Sequence, residues 1–223
     1  MREKNFPLSF ILVLLLMLGG IAVAQDEQQA EPKTSGRIEY ADGGQSQLEG
    51  DSGEQIYSFL HSFISGGKDG KCLLLEDDKV VVEVQLAGDL VTISENGQKE
   101  SMPVAQALEE LAASKAQGML SACCYNLKNI GTAFLMWASD NGGRYPESAA
   151  QLTPDYLLQI PACPASGTDT YSASYRRGTE PDWFQLRCDG DHSAAGQEKG
   201  LPAYTSDFGL IQSKEELEGN YKP

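Results

Sequence analysis

The stretch Ser121–Pro146, SACCYNLKNIGTAFLMWASDNGGRYP, decides how the second half of this 223-residue chain folds. In this stretch, and just before it, apolar side chains recur at steps of three and four residues, which is the spacing of one face of an α-helix. They are Leu120, Cys123, Leu127, Ile130, Phe134 and Trp137. The pattern predicts a long helix that packs by one side against the rest of a domain.

The sequence also predicts where this helix ends. The last helical residue is Asp140, because Asn141 and the glycine pair after it adopt positive φ readily. Pro146, a few residues on, cannot continue a helix. We therefore expect the chain to leave the helix at DNGGRYP.

The start of the helical region is less regular. Ser101 is a candidate N-cap, and Pro103 is tolerated in a first turn. The apolar stripe loses its phase near Lys115 and Gly118, which predicts a kink or a break between two helices there.

The flanking segments complete an α+β fold. Residues 54–64 have helical spacing, and 71–76, 79–86 and 90–96 are strand candidates separated by turn-like residues. After the long helix, residues 149–161 predict a short helical turn. Residues 170–177 and 182–188 alternate like two strands, and 201–210 predicts a last strand or an ordered loop.

Composition divides the chain into five segments. We predict a signal peptide or uncleaved anchor at 1–24, a flexible acidic linker at 25–53, and a small helix plus three-stranded β-meander at 54–100. A second domain follows at 101–215, and a tail at 216–223.

The N-terminal segment has the features of an export signal. Arg2 and Lys4 precede an almost unbroken apolar run from Leu8 to Leu18, and AVA at 22–24 supplies the small residues that a signal peptidase needs. With the residues after the run, the segment approaches the length of a membrane span, so an uncleaved anchor is the alternative. Either way the rest of the chain is expected outside the cytoplasm: in the periplasm, on the cell surface or secreted.

The formal net charge of −15 excludes some classes of partner. Nucleic acids and anionic membrane surfaces are bound through basic patches, which this composition does not offer. Contact with a membrane is therefore expected only through the N-terminal segment, and the expected partners are proteins.

Five cysteines follow the predicted signal, so disulfides are the default expectation. Cys163 and Cys188 each lie at the edge of a turn, 25 residues apart, and a bridge between them would contribute about 3 kcal/mol. The main alternative pairs one of them with Cys123. Cys124 lies off the apolar stripe and is the predicted odd thiol. Cys72 is either a buried thiol in a strand or a partner for Cys124.

Zinc and thiol chemistry are the other hypotheses for the cysteines. Cys188 and His192 are four residues apart and Cys163 could add a third ligand, but the paired spacings typical of structural zinc sites are absent. A nucleophilic cysteine needs a neighbouring base, and the chain has two histidines, His61 and His192. No GxSxG, HExxH, P-loop or GxGxxG motif is present, so no catalytic residue and no enzymatic activity are predicted.

Calcium is the cofactor hypothesis that the acidic loops support. Asp189 and Asp191 flank a glycine, and Asp207 lies in a later loop that could approach them. Calcium is bound by several oxygen ligands on flexible loops. Solvent-facing carboxylates without an ion are the competing interpretation, and no EF-hand pattern is present.

Residues 120–210 resemble the globular part of type IV pilin-like proteins, in particular the major pseudopilins of type II secretion. The resemblance lies in NLKNIGTAFLMWASDNGGRYP, in LTPDYL and IPACP that follow, and in the late Cys188, Gly190 and His192. It implies a helix packed on a small antiparallel sheet and a structural role, and it lends support to a calcium-binding C-terminal loop. The short prepilin leader and the glutamate of the pilin helix are not found in the N-terminal segment.

The sequence therefore predicts an exported, non-enzymatic pilin-like protein that acts as a structural or interaction module of the cell envelope or cell surface. The first alternative is an accessory pseudopilin-like component of a type II secretion or type IV pilus system. The second is a thiol- or metal-dependent hydrolase centred on Cys188 and His192.

Overall fold

A computed structural model of the protein describes residues 34–48, 52–180 and 182–220. It has an α+β fold with antiparallel sheets and one long helix, as the sequence predicted, and it divides into two compact units between Gly118 and Met119. The predicted signal or anchor at 1–24 lies outside the described residues. Within the described residues, no helix combines the length and the apolar character that crossing a membrane requires.

The helices and strands follow one another in this order. They are β1 Thr34–Tyr40, β2 Gln45–Gln47, α1 Gly53–Ser65, β3 Gly70–Glu76, β4 Lys79–Ala87, β5 Leu90–Glu95, β6 Gln98–Pro103, α2 Val104–Asp140, β7 Arg176–Thr179, β8 Asp182–Arg187, β9 Ala203–Thr205, β10 Gly209–Ile211 and α3 Lys214–Asn220. Short 3₁₀ turns lie at Ala149–Leu152, Ser172–Ser174 and Ser193–Ala195.

The first unit is a six-stranded antiparallel sheet in the order β2-β1-β3-β4-β5-β6, with α1 contributing to its core. A capping box begins α1: the Ser52 hydroxyl accepts from the Gln55 N–H and the Gln55 side chain accepts from the Ser52 N–H. The buried face of α1 packs with alternate residues of the strands. This core contains Ile56, Leu60, Phe63, Ile64, Cys72, Leu74, Val82, Val84, Leu86 and Val91.

The predicted helix and three strands are all present in this unit, but the sheet is larger than the predicted meander. β1 and β2 lie within the stretch predicted to be a flexible linker, and β1 pairs with β3 over its whole length. The linker prediction fails here because β1 needs only alternate residues on the core side, and Ile38 is its single large buried side chain. A strand with so few apolar residues gives no detectable alternating pattern in the sequence.

β6 is the second addition. Asn96 and Gly97 both have positive φ (51° and 80°), which is the backbone of a tight hairpin turn. The turn pairs β5 with β6, so Ser101 lies opposite Thr92 in the sheet and is not a helix N-cap. The long helix therefore begins at Val104.

That helix, α2, is continuous from Val104 to Asp140, so the predicted break near Lys115 and Gly118 does not occur. The loss of phase has another cause. Ala107 and Leu111 belong to the core of the first unit, whereas Cys123 and Leu127 belong to the core of the second. Two successive stretches of one helix therefore have different apolar faces.

The predicted stop of α2 is confirmed. The Asn141 N–H donates to the Trp137 carbonyl (3.0 Å) and the Gly143 N–H to the Ala138 carbonyl (2.7 Å). Gly142 and Gly143 have φ of 67° and 84°, values that strongly favour glycine. These bonds satisfy carbonyls at the helix end that would otherwise lack partners.

The second unit places α2 beside a four-stranded antiparallel sheet in the order β10-β9-β8-β7. Aromatic rings fill the space between them: Phe134 lies 4.5 Å from Tyr175 and 4.7 Å from Phe184, measured between ring centroids. Gly131 lets the helix approach, because a Cβ there would lie 2.4 Å from the Tyr204 ring.

The helical turn predicted at 149–161 is present as the 3₁₀ turn Ala149–Leu152, and the second predicted strand is present as β8. The first predicted strand, 170–177, is displaced: Ser172–Ser174 forms a 3₁₀ turn, and β7 begins only at Arg176 and pairs with β8.

The predicted tail at 216–223 requires a correction, since α3 begins at Lys214. The Ser213 hydroxyl accepts from the Glu216 N–H (3.1 Å), and the Glu216 carboxylate accepts from the Ser213 N–H (3.3 Å). This is a Ser-x-x-Glu capping box, a start signal that the sequence does contain.

Candidate metal centre

Three cysteines and one histidine of the second unit converge on one point. Cys123 lies on α2, Cys163 lies in the loop that follows the first 3₁₀ turn, and Cys188 comes directly after β8. His192 follows in the loop after Cys188. Each of the four side chains contributes one sulfur or nitrogen atom, and these four atoms all lie within 4.8 Å of one another.

The cluster is closed to solvent. The three cysteines are 0% exposed and His192 is 5% exposed. His192 directs its Nε2 into the group, 3.4 Å from Cys188 Sγ and 3.5 Å from Cys163 Sγ. Cys163 Sγ and Cys188 Sγ are 3.5 Å apart. Four soft or borderline donor atoms therefore face one another inside the core.

These separations match the edges of a zinc tetrahedron. With Zn–S bonds of about 2.3 Å and Zn–N bonds of about 2.0 Å, tetrahedral angles place neighbouring donors roughly 3.5–3.8 Å apart. The three distances among the Cys163 Sγ, Cys188 Sγ and His192 Nε2 atoms are 3.4–3.5 Å. Cys₃His is one of the ligand sets of structural zinc sites.

The loop that joins two of the ligands depends on a glycine. A Cβ on Gly190 would lie 2.5 Å from Cys163 Sγ and 3.2 Å from Cys188 Sγ, so only a residue without a side chain fits. The Gly190 N–H donates to Cys188 Sγ at 3.3 Å. Next along the loop, Asp191 accepts from the Ser193 N–H (2.9 Å), which fixes the backbone on either side of His192.

Two polar side chains outside the cluster support the sulfur of Cys123, one directly and one through the other. The Tyr171 hydroxyl donates to Cys123 Sγ at 3.3 Å. Asn126, one turn along α2, donates from Nδ2 to the same hydroxyl (3.2 Å) and to the Ala162 carbonyl (3.0 Å). The amide thus ties the helix to the residue that precedes Cys163. Outer groups of this kind orient metal ligands and stabilise their charged form.

Cys188 has partners of its own. The Thr170 hydroxyl lies 3.3 Å from its sulfur, in addition to the Gly190 N–H. Its backbone N–H donates to the Pro202 carbonyl at 2.9 Å, which holds the residue beside the start of β9. Cys163 is held by its own backbone, whose N–H donates to the Thr168 carbonyl at 2.8 Å.

The hydrogen bonds favour a thiolate at Cys188. Its pKa is lowered to about 3, chiefly because the Cys123 thiol donates to it, although burial opposes the shift. His192, Thr170 and the Gly190 N–H lower the same pKa further. The pKa of Cys123 is raised, first by its bond to Cys188 and then by burial.

The structure brings together some of the cysteines that the sequence predictions paired. Cys163 and Cys188 are brought together, yet their sulfurs are not bonded, so the predicted disulfide is absent. Cys123, the predicted alternative partner, lies in the same cluster. The structure brings together Cys163, Cys188 and His192, which the zinc hypothesis named, and adds Cys123, which it did not name. A helical cysteine 40 residues before the next residue of the cluster has no spacing signal. Zinc binding stays a hypothesis at this point.

The other two cysteines lie outside the cluster. Cys124, adjacent to Cys123, is buried, and burial is the main cause that raises its pKa. Cys72 is buried in the first unit, where burial raises its pKa to about 12. Both are free thiols, and a high pKa keeps a thiol protonated and unreactive at neutral pH.

The candidate calcium ligands do not form such a group. Asp189, Asp191 and Asp207 are exposed. Asp191 accepts from Ser193 and Asp207 accepts from the Ser206 hydroxyl (3.0 Å). Among the described residues, these aspartates belong to no metal-sized group of three or more ligands. Calcium binding stays a prediction of the sequence.

Comparison with known proteins adds no assignment. No protein family, no curated protein and no solved structure matches this chain.

Proposed function

We propose that the second unit binds one zinc ion through Cys123, Cys163, Cys188 and His192, and that the ion serves as a structural cross-link. The observation that carries the proposal is the convergence of four buried donor atoms within 4.8 Å of one another. The elements that supply them are a helix, a loop and the end of a strand, so one ion would join parts of the unit that are distant in sequence.

A structural role fits this ligand set better than a catalytic one. A catalytic zinc site keeps one coordination position open for water or substrate, whereas four protein ligands complete a tetrahedron. The ligands here are 0–5% exposed, which leaves no access for a substrate. The hydrolase alternative needs both an open position and a path to it.

The proposed role of the whole chain follows from this. We propose an exported, non-enzymatic pilin-like module whose helix-and-sheet unit is stabilised by zinc and presents its outer surface to protein partners. Support comes from the long helix packed on a small antiparallel sheet and from the resemblance of residues 120–210 to pilin-like proteins. A closed metal site inside the core supports a role in holding shape.

Metal analysis and melting of the purified full chain test the zinc site. We expect one zinc ion per chain, and a large fall in melting temperature when a strong chelator removes it, because metal-binding energy contributes directly to folding. Cys188→Ser and Cys123→Ser should each lose the zinc. Cys124→Ser, the matched control beside the site, should retain it. Full zinc content in Cys188→Ser, or a melting temperature unchanged by the chelator, would refute the proposal.

A further inference from the structure

We propose that the cluster has two mutually exclusive states: a zinc-bound state with reduced thiols, and a metal-free state in which a disulfide joins Cys163 and Cys188. The inference rests on the proposed zinc site and adds its regulation. The observation behind it is the 3.5 Å separation of the two sulfurs inside a four-ligand group. The same atoms that hold the metal are placed to bond to each other.

Cys163 and Cys188 are the favoured pair. A disulfide requires the sulfurs to approach to about 2.05 Å, which loops accommodate more easily than a packed helix. Cys163 lies in a loop and Cys188 lies just past the end of β8. Gly190 leaves the space beside Cys163 Sγ free, since a Cβ would lie 2.5 Å from that atom. Cys123 lies on the packed helix α2, and its sulfur accepts a hydrogen bond from the Tyr171 hydroxyl.

Each state excludes the other. The disulfide would remove two of the four ligands, and the remaining Cys123 and His192 cannot complete a tetrahedral zinc site. Conversely, bound zinc would occupy the sulfur electron pairs with which the thiolates would otherwise attack an oxidant. Bound zinc should therefore suppress oxidation.

The oxidation balances with a small disulfide as the oxidant. One protein thiolate attacks a sulfur of oxidised glutathione, which expels one glutathione thiolate and forms a mixed disulfide. The second cysteine attacks the protein sulfur of that mixed disulfide and expels the second glutathione. Two protein thiols lose two electrons and two protons, and one small disulfide becomes two thiols. No change in the oxidation state of zinc is involved.

The test compares zinc-loaded and metal-free samples of the reduced full chain during incubation with oxidised glutathione. Thiol labelling and peptide mapping by mass spectrometry follow the five cysteines. We expect the loaded chain to keep all its thiols. The metal-free chain should lose two, mapped to Cys163 and Cys188, and should take up zinc again only after reduction. Cys124→Ser should show the same two-thiol loss.

The outcomes separate this inference from the zinc proposal. A reduced chain that binds no zinc overturns both. Zinc binding with equally fast oxidation of the loaded and metal-free chains overturns the inference alone. The same holds if the disulfide-bonded chain takes up zinc fully, or if the mapped bond includes Cys123.

Discussion

At the scale of single residues, Gly190 sets the shape of the proposed zinc site. Gly190→Ala would place a Cβ 2.5 Å from Cys163 Sγ, well inside van der Waals contact. We expect this substitution to abolish zinc binding although no ligand is changed. Metal content of the purified variant measures the effect.

Asp189→Ala is the matched control, since Asp189 is the exposed residue directly before Gly190. It should keep full zinc content, because its side chain is exposed to solvent. A Gly190→Ala chain with wild-type zinc content would show that the loop adjusts to the Cβ and that glycine is not required.

The Tyr171 hydroxyl is the next residue-scale determinant. Tyr171→Phe keeps the buried ring and removes both the donor to Cys123 Sγ and the acceptor for Asn126. Loss of an outer hydrogen bond to a metal ligand typically weakens metal affinity about 10–100-fold. We expect a fall of this size in competition with a chromogenic chelator, with little change in the circular dichroism of the zinc-loaded chain.

Tyr125→Phe provides the comparison for that variant, because Tyr125 is an exposed tyrosine of the same helix. Its zinc affinity should equal that of the wild type. Equal affinities for Tyr171→Phe and Tyr125→Phe would mean that the hydroxyl of Tyr171 does not support the thiolate.

At the scale of elements, the contact of α2 with the second sheet depends on aromatic packing. Phe134 is fully buried and lies within 4.7 Å of the ring centroids of Tyr175 and Phe184. Phe134→Ala should lower the free energy of unfolding by about 3–5 kcal/mol, as large-to-small aromatic substitutions in cores do. Urea denaturation of the zinc-loaded chain measures it.

The exposed side of the same helix supplies the control. Met136 is 51% exposed, so Met136→Ala should change the free energy of unfolding by less than about 0.5 kcal/mol. Similar losses for Phe134→Ala and Met136→Ala would contradict the assignment of the buried face.

Elements with a continuous apolar pattern were the ones that sequence predicted well. The stripe from Leu127 to Phe134 and the stop after Asp140 are local signals, and both are confirmed. β1 was missed because its place in the sheet comes from pairing with β3, and one large buried residue, Ile38, leaves almost no pattern. Whether a segment joins a sheet depends also on the strand it pairs with, and the pattern of one segment alone does not show this.

The residues of the candidate metal site differ in the same way, since some are close in sequence and one is distant. Cys188 and His192 are four residues apart, which made them candidates for a shared site although their spacing is not one typical of structural zinc sites. Cys123 joins them only because α2 packs against the loop that contains Cys163. A search that keeps every cysteine on a predicted buried face as a possible ligand would have included it.

At the scale of the whole molecule, the two units have separate cores, and the four proposed ligands all belong to the unit that starts at Met119. Removing zinc should therefore act on one unit. We expect chelation to raise amide hydrogen exchange in β8 and in the loop around His192, because those backbone groups lose the cross-link that restrains them. In β3–β5 of the first sheet, exchange should stay unchanged.

Hydrogen exchange followed by mass spectrometry on the full chain resolves the two regions in one experiment. Cys188→Ser should reproduce the chelated pattern without a chelator, which separates loss of the site from any other action of the reagent. Cys124→Ser should keep the zinc-loaded pattern. An equal increase of exchange in β3–β5 and β8 would mean that the two cores unfold together, and the proposed zinc ion would then stabilise the whole chain and not the second unit alone.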